Sequence, residues 1–233
     1  MSLAVIPARG GSKRISRKNI KEFCGKPIIA YSIECARASG LFERVVVSTD
    51  DAEIAEVARS YGAEVPFKRP DALSDDYSGT GEVVAHAIDE IRAAGWDPRE
   101  VCCIYATAPF VTGEDIRRGL ETLRGSSWDF VFSAAEYSAP VFRSFKRHSD
   151  GRLEMCYPEH FRSRSQDLPK VFHDAAQFYW GRTQAWMDRK PIFGPYSTVI
   201  TLPRWRVQDI DTEEDWAMAA AMMSCDALRR ATE

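Results

Sequence analysis

A chain of 233 residues, 45% hydrophobic and 28% charged, has ample core material and is globular in composition, not disordered or fibrous. Its net charge of −3 argues against a broadly basic nucleic-acid surface, and no apolar run reaches membrane-spanning length. Met1–Ile6 is too short for a leader peptide, so a cytoplasmic protein is expected, and the six cysteines lack zinc-like spacing.

The apolar run Leu3–Ile6 predicts a first strand, stopped by Pro7. A small basic loop follows, in which Arg9, Lys13, Arg14, Arg17, Lys18 and Lys21 place six cations within thirteen residues and no acid intervenes. Without those six the chain would carry −9, so the positive charge is local and suits a small anionic ligand. Gly10 and Gly11 let backbone N–H groups converge on an anion, and Ala8, Ser12 and Asn19 flank them. Neither the Gly-x-x-x-x-Gly-Lys phosphate loop nor the Gly-x-Gly-x-x-Gly dinucleotide fingerprint is present. By charge alone, a solvated loop or a nonspecific nucleic-acid patch competes with a polyphosphate cradle. Position favours the cradle, because the loop leaves the first strand of an apparent α/β chain.

Beyond a Gly25-Lys26-Pro27 turn, Ile29, Ile33 and Ala36 mark one apolar helix face ending near Gly40. Arg44–Ser48 predicts a second strand. Asp50 with Glu53 resembles a capping box for a helix carrying Ile54, Val57, Ala58 and Tyr61. Glu64–Phe67 suggests a short third strand, and Lys68–Ser78 a long loop without periodicity, a kind that is commonly functional. Val84, Ala87, Ile88 and Ile91 mark another helix. Val101–Tyr105 is a strand, and its thiols at Cys102 and Cys103 are expected to be buried. Thr112 caps a helix with Ile116, Leu120 and Leu123, and Phe130–Ser133 is the next strand. Strand and helix alternate to this point, which predicts a mainly parallel twisted sheet flanked by helices.

The alternation fails over residues 136–172, where aromatics mix with arginines and no helical stripe runs. This stretch is expected to be an insertion within one 1–233 domain, serving dimerisation, covering substrate, or both. Its polar groups, Glu159, His160, Arg164 and Gln166, together with His173 and Gln177, suit a carboxylated sugar, since arginine pairs bidentately with carboxylate. Interface packing beside Phe161 explains Glu159 and His160 equally well. The sheet resumes at Gln177–Trp180, followed by a helix at Gln184–Asp188 and a strand at Thr198–Leu202. A last helix spans Thr212–Arg229 with Trp216, Ala219, Ala220 and Met223 on one face. Just before it, Asp209 and Asp211 at i and i+2 converge if extended, with Ile210 pointing to the core. Such a pair suits Mg²⁺, which takes one or two carboxylates and completes its shell with phosphate oxygens and water. Helix-start and turn residues are the plainer alternative.

Four motifs together resemble the CMP–acidic-sugar synthetases, cytidylyltransferases for sialic and related nonulosonic acids. They are Ala4–Asn19, Val47-Ser48-Thr49-Asp50, Arg69-Pro70-x-x-Leu73-Ser74-Asp75 and Asp209-Ile210-Asp211-Thr212, and the resemblance spans nearly the whole chain. It implies a nucleotide-diphospho-sugar-transferase fold of Rossmann-like type, a homodimer built through the insertion, CTP as co-substrate and Mg²⁺ as cofactor. It further implies that Arg9, Ser12, Lys13, Lys18 and Asn19 hold the CTP phosphates. Arg69, Ser78 and Thr80 fall at positions around the cytosine, and Asp209 and Asp211 match the metal carboxylates, with Arg9 and Lys18 beside them as catalytic groups. Tyr105 and Thr107 match the sugar side. Tyr105-Ala106 stands where sialate enzymes commonly have Gln-Pro, and His173-Asp174-Ala175-Ala176 replaces an Arg-containing segment. These departures point to a nonulosonate other than sialic acid, with pseudaminic acid expected. Sialic, legionaminic and keto-deoxyoctonic acids remain as enzymatic alternatives, and a catalytically dead nucleotide-binding subunit as the non-enzymatic one.

Overall fold

The computed structural model describes residues 1–75 and 78–225. A six-stranded sheet forms its centre, built from β1 (Ser2–Pro7), β4 (Arg44–Ser48), β5 (Glu100–Ile104), β6 (Phe130–Glu136), β9 (Phe172–Arg182) and β10 (Ser197–Thr201). Across the sheet they lie in the order β10-β6-β9-β5-β1-β4. β1 pairs in parallel with both β4 and β5, and β10 in parallel with β6, while β9 runs antiparallel to β5 and β6. The mainly parallel α/β architecture expected from the alternation is therefore the one formed.

Strand periodicity explains the three layers. In β1, Ala4 and Ile6 face one side and Leu3 and Val5 the other, all fully buried. The first side packs on α1 (Ile28–Ala38), α2 (Ala52–Ser60) and α4 (Gly113–Arg124). The second packs on α3 (Thr80–Ala93) and α5 (Thr183–Met187). Cys102 and Cys103 are buried on opposite faces of β5 as free thiols. The closing helix α6 (Glu213–Ser224) joins neither layer: Trp216, Ala219 and Met223 cover Ile15, Phe23 and Ile28, clamping the basic loop to the body. Residues 226–233, including the predicted extension of this helix to Arg229, lie outside the described residues.

Several local expectations are corrected. Asp51, not Asp50, caps α2 by accepting the Ile54 N–H at 3.0 Å, and Glu53 turns away to bind Arg17. Asp50 is drawn instead to the Gly10 N–H, at 3.0 Å. Glu64–Phe67 contributes only a bridge from Glu64 to Val46, because Pro66 cannot donate to a ladder. The strand expected at Gln177–Trp180 begins at Phe172, five residues earlier, since its first half pairs with the end of β6. The preceding irregular stretch holds an antiparallel pair, β7 (Phe145–Arg147) with β8 (Leu153–Met155), and short helical turns. Two further short strands, β2 (Glu22–Phe23) and β3 (Lys26–Pro27), close the turn before α1.

Candidate active site

The chain leaves β1 for β4 on one side and later returns to β5 on the other, so the topological switch lies at the C-terminal end of β1. A cleft of about 370 Å³ opens there. Arg9, Ser12, Lys13, Arg14, Lys18 and Asn19 line it from the basic loop, and Arg69, Asp75, Ser78 and Thr80 from the long loop and the start of α3. Tyr105 and Thr107 close it from the end of β5, and Asp211 from the segment before α6.

The loop's shape is fixed by hydrogen bonds from below. Ala8 N–H donates to the Ser48 carbonyl at 2.9 Å, and the side-chain NH₂ of the buried Asn19 donates to the Arg9 carbonyl at 2.9 Å. A Cβ on Gly10 would lie 2.8 Å from an Asp51 carboxylate oxygen, so the close approach of loop to α2 requires glycine. Gly11 meets no such restriction. The six cations divide in two. Arg17 pairs with Asp51 and Glu53 at the start of α2, and Lys21 with Glu213 at the start of α6, so both anchor the loop. The other four line the cleft.

Lys18 bridges the two ends of the chain. Its ammonium donates to the Ile210 carbonyl at 2.7 Å and lies 3.3 Å from the Asp211 carboxylate, which also accepts from Arg14 at 2.9 Å. Ile210 is fully buried while Asp209 and Asp211 flank it, the alternation expected of extended backbone. Asp209 keeps contact with solvent, but partial desolvation raises its pKa, and the Asp211 carboxylate raises it further against the pull of Lys18. Two mutually repelling carboxylates with oxygen donors only are a fitting half-site for Mg²⁺. Among the described residues no group of three or more metal-ligating side chains occurs, so the remaining ligands would be phosphate oxygens and water.

Arg69 is the other charged wall. Only 3% of it is exposed, its Nε and one terminal nitrogen have no hydrogen-bond partner, and Asp50 lies 3.7 Å away. Burial lowers its pKa, and Asp50 opposes that. A buried guanidinium with unsatisfied donors beside a cleft is suited to a ligand acceptor.

The remaining sugar-side candidates do not line this cleft. Arg164 pairs with Asp167 at 2.7 Å on the exposed surface, and His160 contacts Ser163 and the Phe142 ring. Glu159 sits in the same short helical turn as His160. Gln166 lines a separate groove of about 230 Å³ that includes Arg204. His173 packs against Tyr137 on the β9 edge. Gln177 is buried and donates to the Arg206 carbonyl at 2.6 Å, while its own side-chain oxygen has no partner. Arg206 in turn forms a buried ion pair with Asp115 at 2.6 Å, which anchors the turn leading to Asp209. Sequence pattern assigns Asp50 only a capping role and singles out none for Asp115, Asp174, Tyr179 or Arg206. Asp174 lies before the strand expected at Gln177–Trp180, so its place within β9 gave no signal in the sequence.

Asp211 lines the cleft and Asp209, exposed two residues earlier, does not. A cationic loop facing an aspartate at the switch point of a mainly parallel sheet is the arrangement of a nucleotide-handling α/β protein. Residues 3–148 match the family model described as Cytidylyltransferase, and the chain belongs to that family. It is 46% identical over 218 residues to the pseudaminic acid cytidylyltransferase of Campylobacter jejuni subsp. jejuni serotype O:2, with 94% of each chain covered. It is 31% identical to the CMP-N,N'-diacetyllegionaminic acid synthase of Legionella pneumophila, with 95% of each covered. The solved structure of CMP:2-keto-3-deoxy-manno-octonic acid synthetase complexed with CTP matches at a TM-score of 0.69 and 15% identity, over 96% of this chain and 98% of that one. This last likeness establishes the shared fold. The family resemblance carried by the motifs is thus borne out, as is the mainly parallel α/β fold.

Proposed function

We propose that this chain transfers CMP from CTP to a nonulosonic acid, pseudaminic acid first among them, and releases pyrophosphate. The observation that carries the reading is the meeting of Lys18 with Asp211 in a cleft walled by Arg9, Lys13 and Arg14. The 46% identity to a pseudaminic acid cytidylyltransferase over nearly the full length of both chains supports the choice of sugar.

In this reading Arg9, Lys13, Arg14 and Lys18 bind the triphosphate, with Ser12 and the backbone of Ala8–Ser12 beside it. Lys18, fixed by the Ile210 carbonyl, is aimed at the α-phosphate and Arg9 at the departing pyrophosphate. Arg69, Ser78 and Thr80 take the base, and Tyr105 and Thr107 face the sugar. The anomeric hydroxyl oxygen forms a bond to the α-phosphorus, the bond from that phosphorus to the bridging oxygen breaks, and pyrophosphate leaves with the electron pair as the hydroxyl proton is released. Positioned positive charge supplies most of the rate in such transfers. Asp209 and Asp211 would hold Mg²⁺, which when bound neutralises phosphate charge and acidifies the attacking hydroxyl.

A homodimer in the cytoplasm belongs to the same proposal. Tyr137, Phe145, Leu153, Phe161 and Phe172, all in or beside the irregular stretch, are between 42% and 69% exposed, a concentration of apolar surface suited to a second copy. Among the described residues no helix is long and apolar enough to cross a membrane.

Purified protein supplied with CTP, Mg²⁺ and a panel of pseudaminic, legionaminic, sialic and keto-deoxyoctonic acids tests the assignment. Pyrophosphate release greatest with pseudaminic acid is expected. Preference for another acid would replace the sugar, and silence with all four would remove the reaction. Asp211→Asn is expected to stay folded and lose most turnover.

A further inference from the structure

From the last residue of β4 onward, three successive residues stitch together two walls of the cleft, the basic loop and the segment carrying Arg69. The Ser48 carbonyl accepts the Ala8 N–H at 2.9 Å, and the Thr49 carbonyl accepts the Arg69 N–H at 2.8 Å. Asp50 comes next, and its side chain reaches both ways. Its Oδ1 accepts the Gly10 N–H at 3.0 Å and lies 3.7 Å from a terminal nitrogen of Arg69. The backbone bonds set where residue 69 enters the wall. Among the described residues, Asp50 is the acid paired with its guanidinium.

Arg69 needs that carboxylate. Its side chain is almost wholly buried, and its Nε and the terminal nitrogen nearest Asp50 make no hydrogen bond. A charge so placed is stable only beside an opposite one. Arg9, which lines the same cleft, acts in the other direction by repelling Arg69. At 3.7 Å the Asp50 oxygen lies beyond hydrogen-bond reach, so it balances the charge of Arg69 without consuming an N–H donor.

We propose that Asp50 is a positioning residue that holds the Arg69 guanidinium in the cleft wall, and that it sets the affinity for the cytosine end of CTP through Arg69 without supporting the triphosphate end. The inference rests on the reading above that Arg69 takes the base. The bond to Gly10 is not what distinguishes the carboxylate, because an amide oxygen accepts the same N–H. Negative charge is what the carboxylate alone supplies. That charge is favourable beside Arg69 and unfavourable beside a bound phosphate, so its removal should separate the two ends of the nucleotide.

Asp50→Asn keeps an acceptor for Gly10 and removes the charge. Isothermal titration without sugar acid should show CTP bound about five- to tenfold more weakly, the worth of one hydrogen bond from a well-held guanidinium. Inorganic tripolyphosphate should bind no more weakly than to wild type. In turnover the loss should lie in the KM for CTP, with kcat little changed. Arg69→Met should likewise lose affinity for CTP and keep it for tripolyphosphate. The double variant should bind CTP no more weakly than Arg69→Met, since Asp50 then has no guanidinium to hold. It also strands no buried charge, so it keeps the test decisive if circular dichroism shows Asp50→Asn alone unfolded. CTP and tripolyphosphate weakened together, or a double variant weaker than Arg69→Met, would overturn the inference and leave Asp50 a brace of the basic loop. Unchanged CTP affinity in Asp50→Asn beside a loss in Arg69→Met would overturn it and leave the base at Arg69. Unchanged affinity in Arg69→Met would overturn both the inference and that placement of the base, while pyrophosphate release by wild-type protein would still uphold the reaction.

Discussion

Replacing Arg206 by methionine removes one half of an ion pair that links α4 to the carboxylate segment. The Arg206 side chain is 11% exposed and that of Asp115 3%, so neither charge can recover its water if the other is deleted. Breaking such a pair by removing one partner costs about 3–5 kcal/mol, most of it the penalty of the stranded charge. Asp115 retains the Thr112 hydroxyl at 2.6 Å and Arg118 at 3.2 Å, so the loss should sit at the lower end, about 3 kcal/mol. Urea unfolding followed by tryptophan fluorescence measures it. The double variant Asp115→Leu/Arg206→Met should recover much of that loss, because a packed apolar pair carries no desolvation cost. Pyrophosphate release by folded Arg206→Met should also fall, since the turn holding the Arg206 carbonyl to Gln177 leads directly to Asp209. A destabilisation below about 1 kcal/mol, or a double variant no more stable than the sum of the singles, would refute the reasoning.

Three further outcomes are expected. Arg17 holds the Asp51 carboxyl below its ordinary 3.8, with smaller help from the Ile54 N–H, so the native state binds that proton less readily than the unfolded chain. The resulting stabilisation is present above pH 3.8 and lost as pH falls through the lower native value. Asp51→Asn, which preserves the helix cap, should flatten the decline of urea midpoints between about pH 5 and pH 2. In Asp211→Asn the neighbouring negative charge is gone, and Asp209 should titrate lower than in wild type by carboxyl NMR while desolvation still keeps it raised. Gly119→Ala would set a methyl group 2.8 Å from the Trp180 ring and 2.9 Å from Phe178, so thermal unfolding should report a loss of about 1–3 kcal/mol. An unchanged Tm there would show that α4 can move off the sheet.

Local pattern carried much of this molecule. The cation density of residues 9–21, the valine run of β4 and the apolar stripes of α1, α3 and α4 each follow from neighbours in the chain, and each formed nearly where it was expected. The division of labour among the six cations did not, because Arg17 and Lys21 differ from Lys18 only in which distant acids they meet. The same holds for Asp50 and Asp51. Adjacent and chemically identical, one caps α2 and the other faces the loop and Arg69. Arg164 and Gln166 looked suited to a sugar carboxylate by type, yet within this chain they lie away from the cleft.

Periodicity and residue type, set by short-range sterics and by which side chains leave water, determined a mainly parallel α/β chain with a basic loop after its first strand. They also placed two aspartates on one side of an extended segment. Only tertiary structure decided that Lys18 meets Asp211 across 193 positions, and that β9 enters antiparallel with a bulge aiming Asp174 beneath Tyr179. The physical reason is range: helix and strand patterns are written within a few residues. A charge pair between distant segments exists only once the sheet order has brought their strand ends side by side.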